Sequence, residues 1–172
     1  MKKLLFMVLL SVSTLSFFTA SAQMDKSKRP SPPDTVSATL KSGVKVTVAY
    51  SQPAIKGRTI GKEIAPYGKV WRTGANEATS IEFSKAVKVE GKSLAAGKYS
   101  IYSIPGEKEW TIIINKKATG SGMEYDQNSD TMRFTVKTGT APAFTERLKF
   151  VIDPAGSVSF VWGDKKVTFT VK

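Results

Sequence analysis

The string Trp71-Arg72-Thr73-Gly74-Ala75-Asn76-Glu77 is the chain's densest group of residues able to do chemistry. It closes a longer stretch, Tyr50 to Thr79, that also carries Lys56, Arg58 and Tyr67 among the breakers Pro53, Gly57, Gly61 and Pro66. A loop this long in a compact domain is uncommon and often functional. Loops held on a rigid β scaffold are also where sites usually sit. In a binding reading, Tyr67 and Trp71 form an aromatic platform, and Arg72 and Asn76 hold polar ligand atoms. Glu77 is then an acceptor or, if the protein is catalytic at all, its general base. Lys56 and Arg58 face one anion across Gly57, with Arg58 offering a planar fork. In a structural reading, Arg72 and Glu77 clasp a Gly-Ala bend, Asn76 satisfies loop backbone and Trp71 plugs the core. Buried loop backbone needs such partners.

Composition narrows the chemistry. The chain of 172 residues has no Cys and no His. That excludes the Ser-His-Asp triad, Cys–His pairs and the usual zinc, copper and haem ligand sets. Glu124-x-Asp126-x-Asn128-x-Asp130 alternates like a Ca²⁺ loop but lacks the glycine at the sixth place and the glutamate at the twelfth, so it reads as a solvated acidic loop. Ser42-x-x-Lys45 spells S-x-x-K on a hairpin turn, where that motif needs a helix start, so it is set aside. No metal or cofactor is expected. The formal net charge is +12, but the lysines are scattered along the chain. They describe a solvated β surface suited to anionic envelope surfaces or acidic polysaccharide, and no nucleic-acid partner is expected.

The elements that must position these residues begin after an export signal. Lys2 and Lys3, an apolar run from Leu4 to about Phe18, and the small residues Ala20, Ser21 and Ala22 make the three-part signal, with cleavage expected after Ala22. The apolar run is short for a membrane span, and no cysteine follows for a lipid anchor. The mature protein is expected in the periplasm or outside the cell, with no membrane span. Residues 23–34, with Pro30, Pro32 and Pro33, read as a flexible Pro-rich leader.

Residues 35–172 read as one β-sandwich domain. Alternating segments fall at Val36–Lys41, Val44–Tyr50, Thr79–Phe83, Ala86–Glu90, Lys98–Ile104, Glu109–Asn115, Thr131–Lys137, Arg147–Asp153, Ser157–Trp162 and Lys166–Val171. Ser42-Gly43, Gly91-Lys92, Pro105-Gly106 and Gly163-Asp164 read as hairpin turns. About nine or ten short strands with regular turn signals predict an all-β, antiparallel, jelly-roll-like sandwich with Greek-key crossings. The sequence carries no signal for an oligomeric state.

Several strings resemble the exported bacterial family catalogued as domain of unknown function 2911. They are Tyr50-Ser51-x-Pro53, Lys56-Gly57-Arg58, the run from Pro66 to Thr79, Leu94-x-Ala96-Gly97-x-Tyr99-Ser100 and Ile104-Pro105-Gly106-x-x-x-Trp110, with weaker echoes at Tyr125, Arg133 and Glu146-Arg147. Members of that family often carry Arg where this chain has Gln52, and Trp-Gly where it has Gly120-Ser121-Gly122. The resemblance implies a motif and its placement, with no activity attached. Three functions are expected to compete. The first is a non-catalytic module binding a polar or anionic small molecule or a glycan through Lys56, Arg58, Tyr67, Trp71, Arg72, Asn76 and Glu77. The second is a carboxylate-dependent hydrolase using Glu77. The third is a structural or partner-binding envelope protein.

Overall fold

The computed structural model describes residues 25–117 and 125–172; the expected signal at 1–22, together with Gly120-Ser121-Gly122 and Glu124, lies outside the described residues. Nine strands succeed one another: β1 (Pro33–Thr39), β2 (Lys45–Ser51), β3 (Thr79–Phe83), β4 (Val87–Val89), β5 (Lys92–Leu94), β6 (Gly97–Ile104), β7 (Glu109–Asn115), β8 (Asp130–Asp153) and β9 (Ser157–Thr170). No α-helix occurs among the described residues, only two 3₁₀ turns at Lys26–Lys28 and Gln127–Ser129. No helix there is long and apolar enough to cross a membrane. The expected all-β antiparallel class is what folds.

Seven strands form one curled sheet in the order β1-β2-β3-β6-β7-β8-β9, and β4-β5 form a small second sheet. The order is a meander interrupted only by the β4–β5 hairpin, so the expected Greek-key crossings are replaced by consecutive neighbours. The curl brings distant parts together. Ala54, just after β2, bridges to Arg147 in β8, and the Tyr50 hydroxyl accepts the Phe150 N–H at 3.1 Å. The last residues join the small sheet: Val171 bridges to Val89, with Lys172 N–H donating to the Lys88 carbonyl at 2.9 Å.

Period-two alternation explains which face is buried. Val46, Val48 and Tyr50 of β2, Ile81 and Phe83 of β3, Tyr99 and Ile101 of β6, and Trp110, Ile112 and Ile114 of β7 enter one core with Phe134, Leu148, Phe150, Phe160 and Phe169 from β8 and β9. The core therefore lies inside the curl.

Four expectations about segmentation change. Thr131–Lys137 and Arg147–Asp153 belong to a single strand, β8. Its pairing with β9 shifts register between Thr140 and Thr145 and again between Thr145 and Lys149. Such irregularities let a long strand bend without leaving its partner. The hairpin expected at Gly163-Asp164 does not form either, because β9 runs through it, with Gly163 at φ +62° opposite Thr145. The first hairpin has three loop residues, with Leu40 N–H donating to the Val44 carbonyl at 2.8 Å and Gly43 at φ +77°. Lys92, expected in a turn with Gly91, instead opens β5.

Candidate functional site

The stretch from Tyr50 to Thr79 leaves the core side of β2, crosses β8, passes the end of β6 and returns to β3. Its seven candidate residues do not converge on one point. Arg58 turns its guanidinium back onto its own loop: Nε donates to the Ile55 carbonyl at 3.0 Å and a terminal N–H to the Ala54 carbonyl at 2.7 Å. It therefore does not pair with Lys56 across an anion. Lys56 is exposed at φ +50°, and its backbone N–H donates to Glu146 Oε1 at 2.8 Å. Tyr67 is 38% exposed. Its ring lies so close over Gly61 that a Cβ there would sit 2.3 Å from ring carbons. Gly61 is required twice over, since its φ is +91°.

The expected Tyr67–Trp71 platform does not form. Trp71 instead stacks on Trp162, centroids 5.1 Å apart and 7° between planes, and meets the edge of Trp110 at 5.9 Å. Its backbone pairs with Ser103 in both directions, at 2.7 and 2.8 Å. Thr73 is fully buried at φ +51°, where its hydroxyl donates to Ser103 Oγ at 2.9 Å. The Thr79 hydroxyl donates to the Thr73 carbonyl at 2.8 Å. This is the polar satisfaction that a buried turn requires.

The Arg72–Glu77 clasp is also absent. Arg72 donates to the Asn76 carbonyl at 2.6 Å. Asn76 Nδ2 reaches the Ser31 carbonyl at 2.9 Å. Glu77 is gripped by Arg29, at 3.0 and 2.9 Å to its two oxygens, and by Lys26 at 3.2 Å. The hydrogen bond from Arg29, with further help from backbone and Lys26, holds the Glu77 carboxyl at about 2, well below its ordinary 4.5. Residues of the expected leader therefore dock onto the 76–77 turn, and β1 starts inside that leader at Pro33. Arg147 adds a bond to the Pro30 carbonyl at 3.0 Å.

Two of the seven candidates do meet in an open cleft of about 440 Å³. Arg58 and Tyr67 form one wall with Thr59; Phe144, Asp164 and Lys165, from the irregular middle of β8 and β9, form the other. Ile55, Ile60 and Gly163 make the floor, where a Cβ at Gly163 would stand 3.0 Å from the Ile55 methyl. Phe144 is 67% exposed, more than any other large apolar side chain described. Phe144, Asp164 and Lys165 carried no local signal in the sequence. They sit about 80 to 100 residues downstream of the loop they face, and the bent β8–β9 pairing is what brings them there.

No group of three or more Asp or Glu able to hold a metal ion occurs among the described residues. Asp126 caps the turn at Gln127–Ser129, while both oxygens of Asp130 are bonded, to Asn115 at 2.8 Å and to Tyr125 at 2.7 Å.

Fold and surface together define, among the described residues, a small curled antiparallel β domain with an aromatic, cation-bearing cleft. Over residues 31–171 the chain matches the family described as protein of unknown function (DUF2911), and it belongs to that family. No curated protein and no solved structure matches it.

Proposed function

We propose that this is an exported, non-catalytic binding module whose ligand, an acidic glycan or another polar or anionic small molecule, seats in the cleft between Tyr67 and Phe144. The observation that carries the reading is the pair of outward aromatic side chains flanking Arg58 and Lys165 at one concave surface. Ligand sites are typically clefts of several hundred Å³ with apolar walls and a few placed polar groups. Aromatic faces cover the apolar face of a sugar ring or base, while the cations and Thr59 suit carboxylate, sulfate or hydroxyl groups. Export rests on the three-part pattern of residues 1–22.

The hydrolase reading gains nothing from this geometry. A general base works best with its pKa near the operating pH, and Glu77 is held at about 2 by its cations. The partner-binding reading draws on Phe144 and on Val151, which is 44% exposed. An exposed apolar side chain standing alone is ordinary, however.

A thermal-shift screen of the protein against acidic and neutral oligosaccharides and nucleotides tests the proposal. A ligand at about 100 times its Kd stabilises by roughly 2.7 kcal/mol, which raises Tm by about 5–10 °C in a domain of this size. The shift should vanish in Tyr67→Ala and in Phe144→Ala. Absence of any shift across the panel, or a shift that survives both substitutions, sinks the cleft.

A further inference from the structure

One patch on the outer face of the main sheet is organised around a side chain, Tyr102, whose hydroxyl has no hydrogen-bond partner among the described residues. In β6 the alternation sends Tyr99 and Ile101 into the core and leaves Tyr102 on the outer face. Cross-strand pairing sets Tyr102 opposite Ile113 of β7, and Ile113 opposite Arg133 of β8. On the other side, the antiparallel bridge between Trp71 and Ser103 puts Arg72 beside Tyr102. The outer face thus carries a row that runs Arg72, Tyr102, Ile113, Arg133. Tyr125 lies over it, its ring centroid 5.0 Å from that of Tyr102.

The two cations at the ends of this row differ. Arg133 is neutralised: its Nε donates to Asp130 Oδ2 at 2.7 Å, and a terminal N–H donates to the Tyr125 hydroxyl. The Tyr125 hydroxyl in turn donates to Asp130 Oδ2 at 2.7 Å, and Asn115 fills Oδ1 at 2.8 Å. That network is closed, and it fixes Tyr125 as a wall. Arg72 has no carboxylate partner among the described residues, and its one hydrogen bond there is to the Asn76 carbonyl. The Tyr102 side chain is the second anomaly. The residue is only 5% exposed, and its hydroxyl makes no hydrogen bond among the described residues while not being fully enclosed, unlike the unpaired Trp110 and Trp162 indole N–H groups and the Thr138 hydroxyl. Burial raises the Tyr102 pKa, with Arg72 pulling it down and Asp130 pushing it up, so the hydroxyl is a donor at neutral pH.

We infer that Arg72 and Tyr102 form a subsite for the carboxylate group of a small organic acid, with the Tyr125 ring as its wall. The charge count selects the ligand class. One uncompensated guanidinium matches one negative charge, and no second free cation in the row would balance a phosphate dianion. Shape selects it again. Arg72 keeps a planar pair of N–H donors beyond the one used on Asn76, which fits the two oxygens of a carboxylate. The Tyr102 hydroxyl supplies a third donor. None of the cleft's residues takes part, so this subsite and the cleft stand or fall separately.

NMR titration of the protein with sodium acetate tests the inference, with acetamide and sodium phosphate compared at matched ionic strength. For so small a probe a Kd on the order of 1 mM is expected, with saturable shifts at the Arg72 side-chain N–H and at backbone amides around Tyr102. Acetamide, which keeps the shape and loses the charge, should bind at least about tenfold more weakly. Arg72→Gln should weaken acetate by about tenfold or more, and Tyr102→Phe, which removes only the hydroxyl, by several-fold. Tyr67→Ala should titrate like the wild type. The inference is overturned by linear, unsaturable shifts, by acetamide matching acetate, by phosphate binding more tightly than acetate, or by unchanged acetate binding in Tyr102→Phe. The last comparison decides the matter even if Arg72→Gln fails to fold.

Discussion

Within the Tyr50–Thr79 stretch, two neighbouring parts use similar residues in opposite ways. From Ile55 to Tyr67 the backbone is tied down by Arg58 and by tight turns, and side chains are left facing outward into a cleft. From Trp71 to Thr79 the side chains themselves are the ties. Trp71 lies on Trp162, Thr73 on Ser103, Thr79 on the Thr73 carbonyl, and Glu77 on Arg29 and Lys26. The lesson is that a polar-aromatic string is not evidence of a site until its hydrogen bonds are assigned. The more distinctive string here is mostly architecture, and the plainer loop before it makes the open surface.

Trp71→Ala should break that comparison hardest. It removes a stacked ring from the edge of the core, where Trp→Ala changes cost about 3–5 kcal/mol, here toward the lower end because Trp71 is half-buried. Urea unfolding should show the midpoint fall with the m-value unchanged. Thr73→Val keeps the shape and deletes one hydroxyl facing Ser103, at a cost of about 1–2 kcal/mol. The same measurement on Tyr67→Ala should show a change within about 0.5 kcal/mol, although that variant removes the proposed ligand's wall. If Tyr67→Ala proves as destabilising as Trp71→Ala, the division between the two parts collapses.

A further small effect belongs to Glu77 and depends on pH. Its folded pKa of about 2 lies below the ordinary 4.5. Its contribution is therefore complete above about pH 4.5 and is lost as pH falls toward 2. With the Glu77 side chain 47% exposed, solvent screening reduces that contribution to under about 1 kcal/mol. Glu77→Gln should be slightly less stable than wild type at pH 7, and the two should converge as pH drops below 4. Parallel stability curves across that range would remove Glu77 from the structural account.

The class of fold was legible because alternation is a local property. Val46-x-Val48-x-Tyr50 and Trp110-x-Ile112-x-Ile114 show their buried faces without help from the rest of the chain. The joined strands were misread because Gly163-Asp164 has the spelling of a tight turn. A subtler signal was present. Val158, Phe160 and Trp162 are buried at even positions, while Val167, Phe169 and Val171 are buried at odd ones. A change of parity within one strand needs an extra residue, which the register shifts and Gly163 supply. The site was legible only as a region. Arg29, Ser103, Phe144 and Lys165 complete it from far along the chain, and nothing local to residues 50–79 names them.

The 24-residue strand β8 also shapes how the molecule can fold. Its first part seals β7, while its later part pairs with β9 and, at Arg147, with Ala54 beyond β2. Val171 and Lys172 then pair with Val89 and Lys88. The interior thus cannot close until Val171 and Lys172 are in place. Loop-closure entropy for these distant pairings must be met before they reward it, so folding is expected to be slow, in the range of milliseconds to seconds. Until Val171 and Lys172 have paired, the earlier strands remain open and edge-exposed, the form most prone to pair with its neighbours.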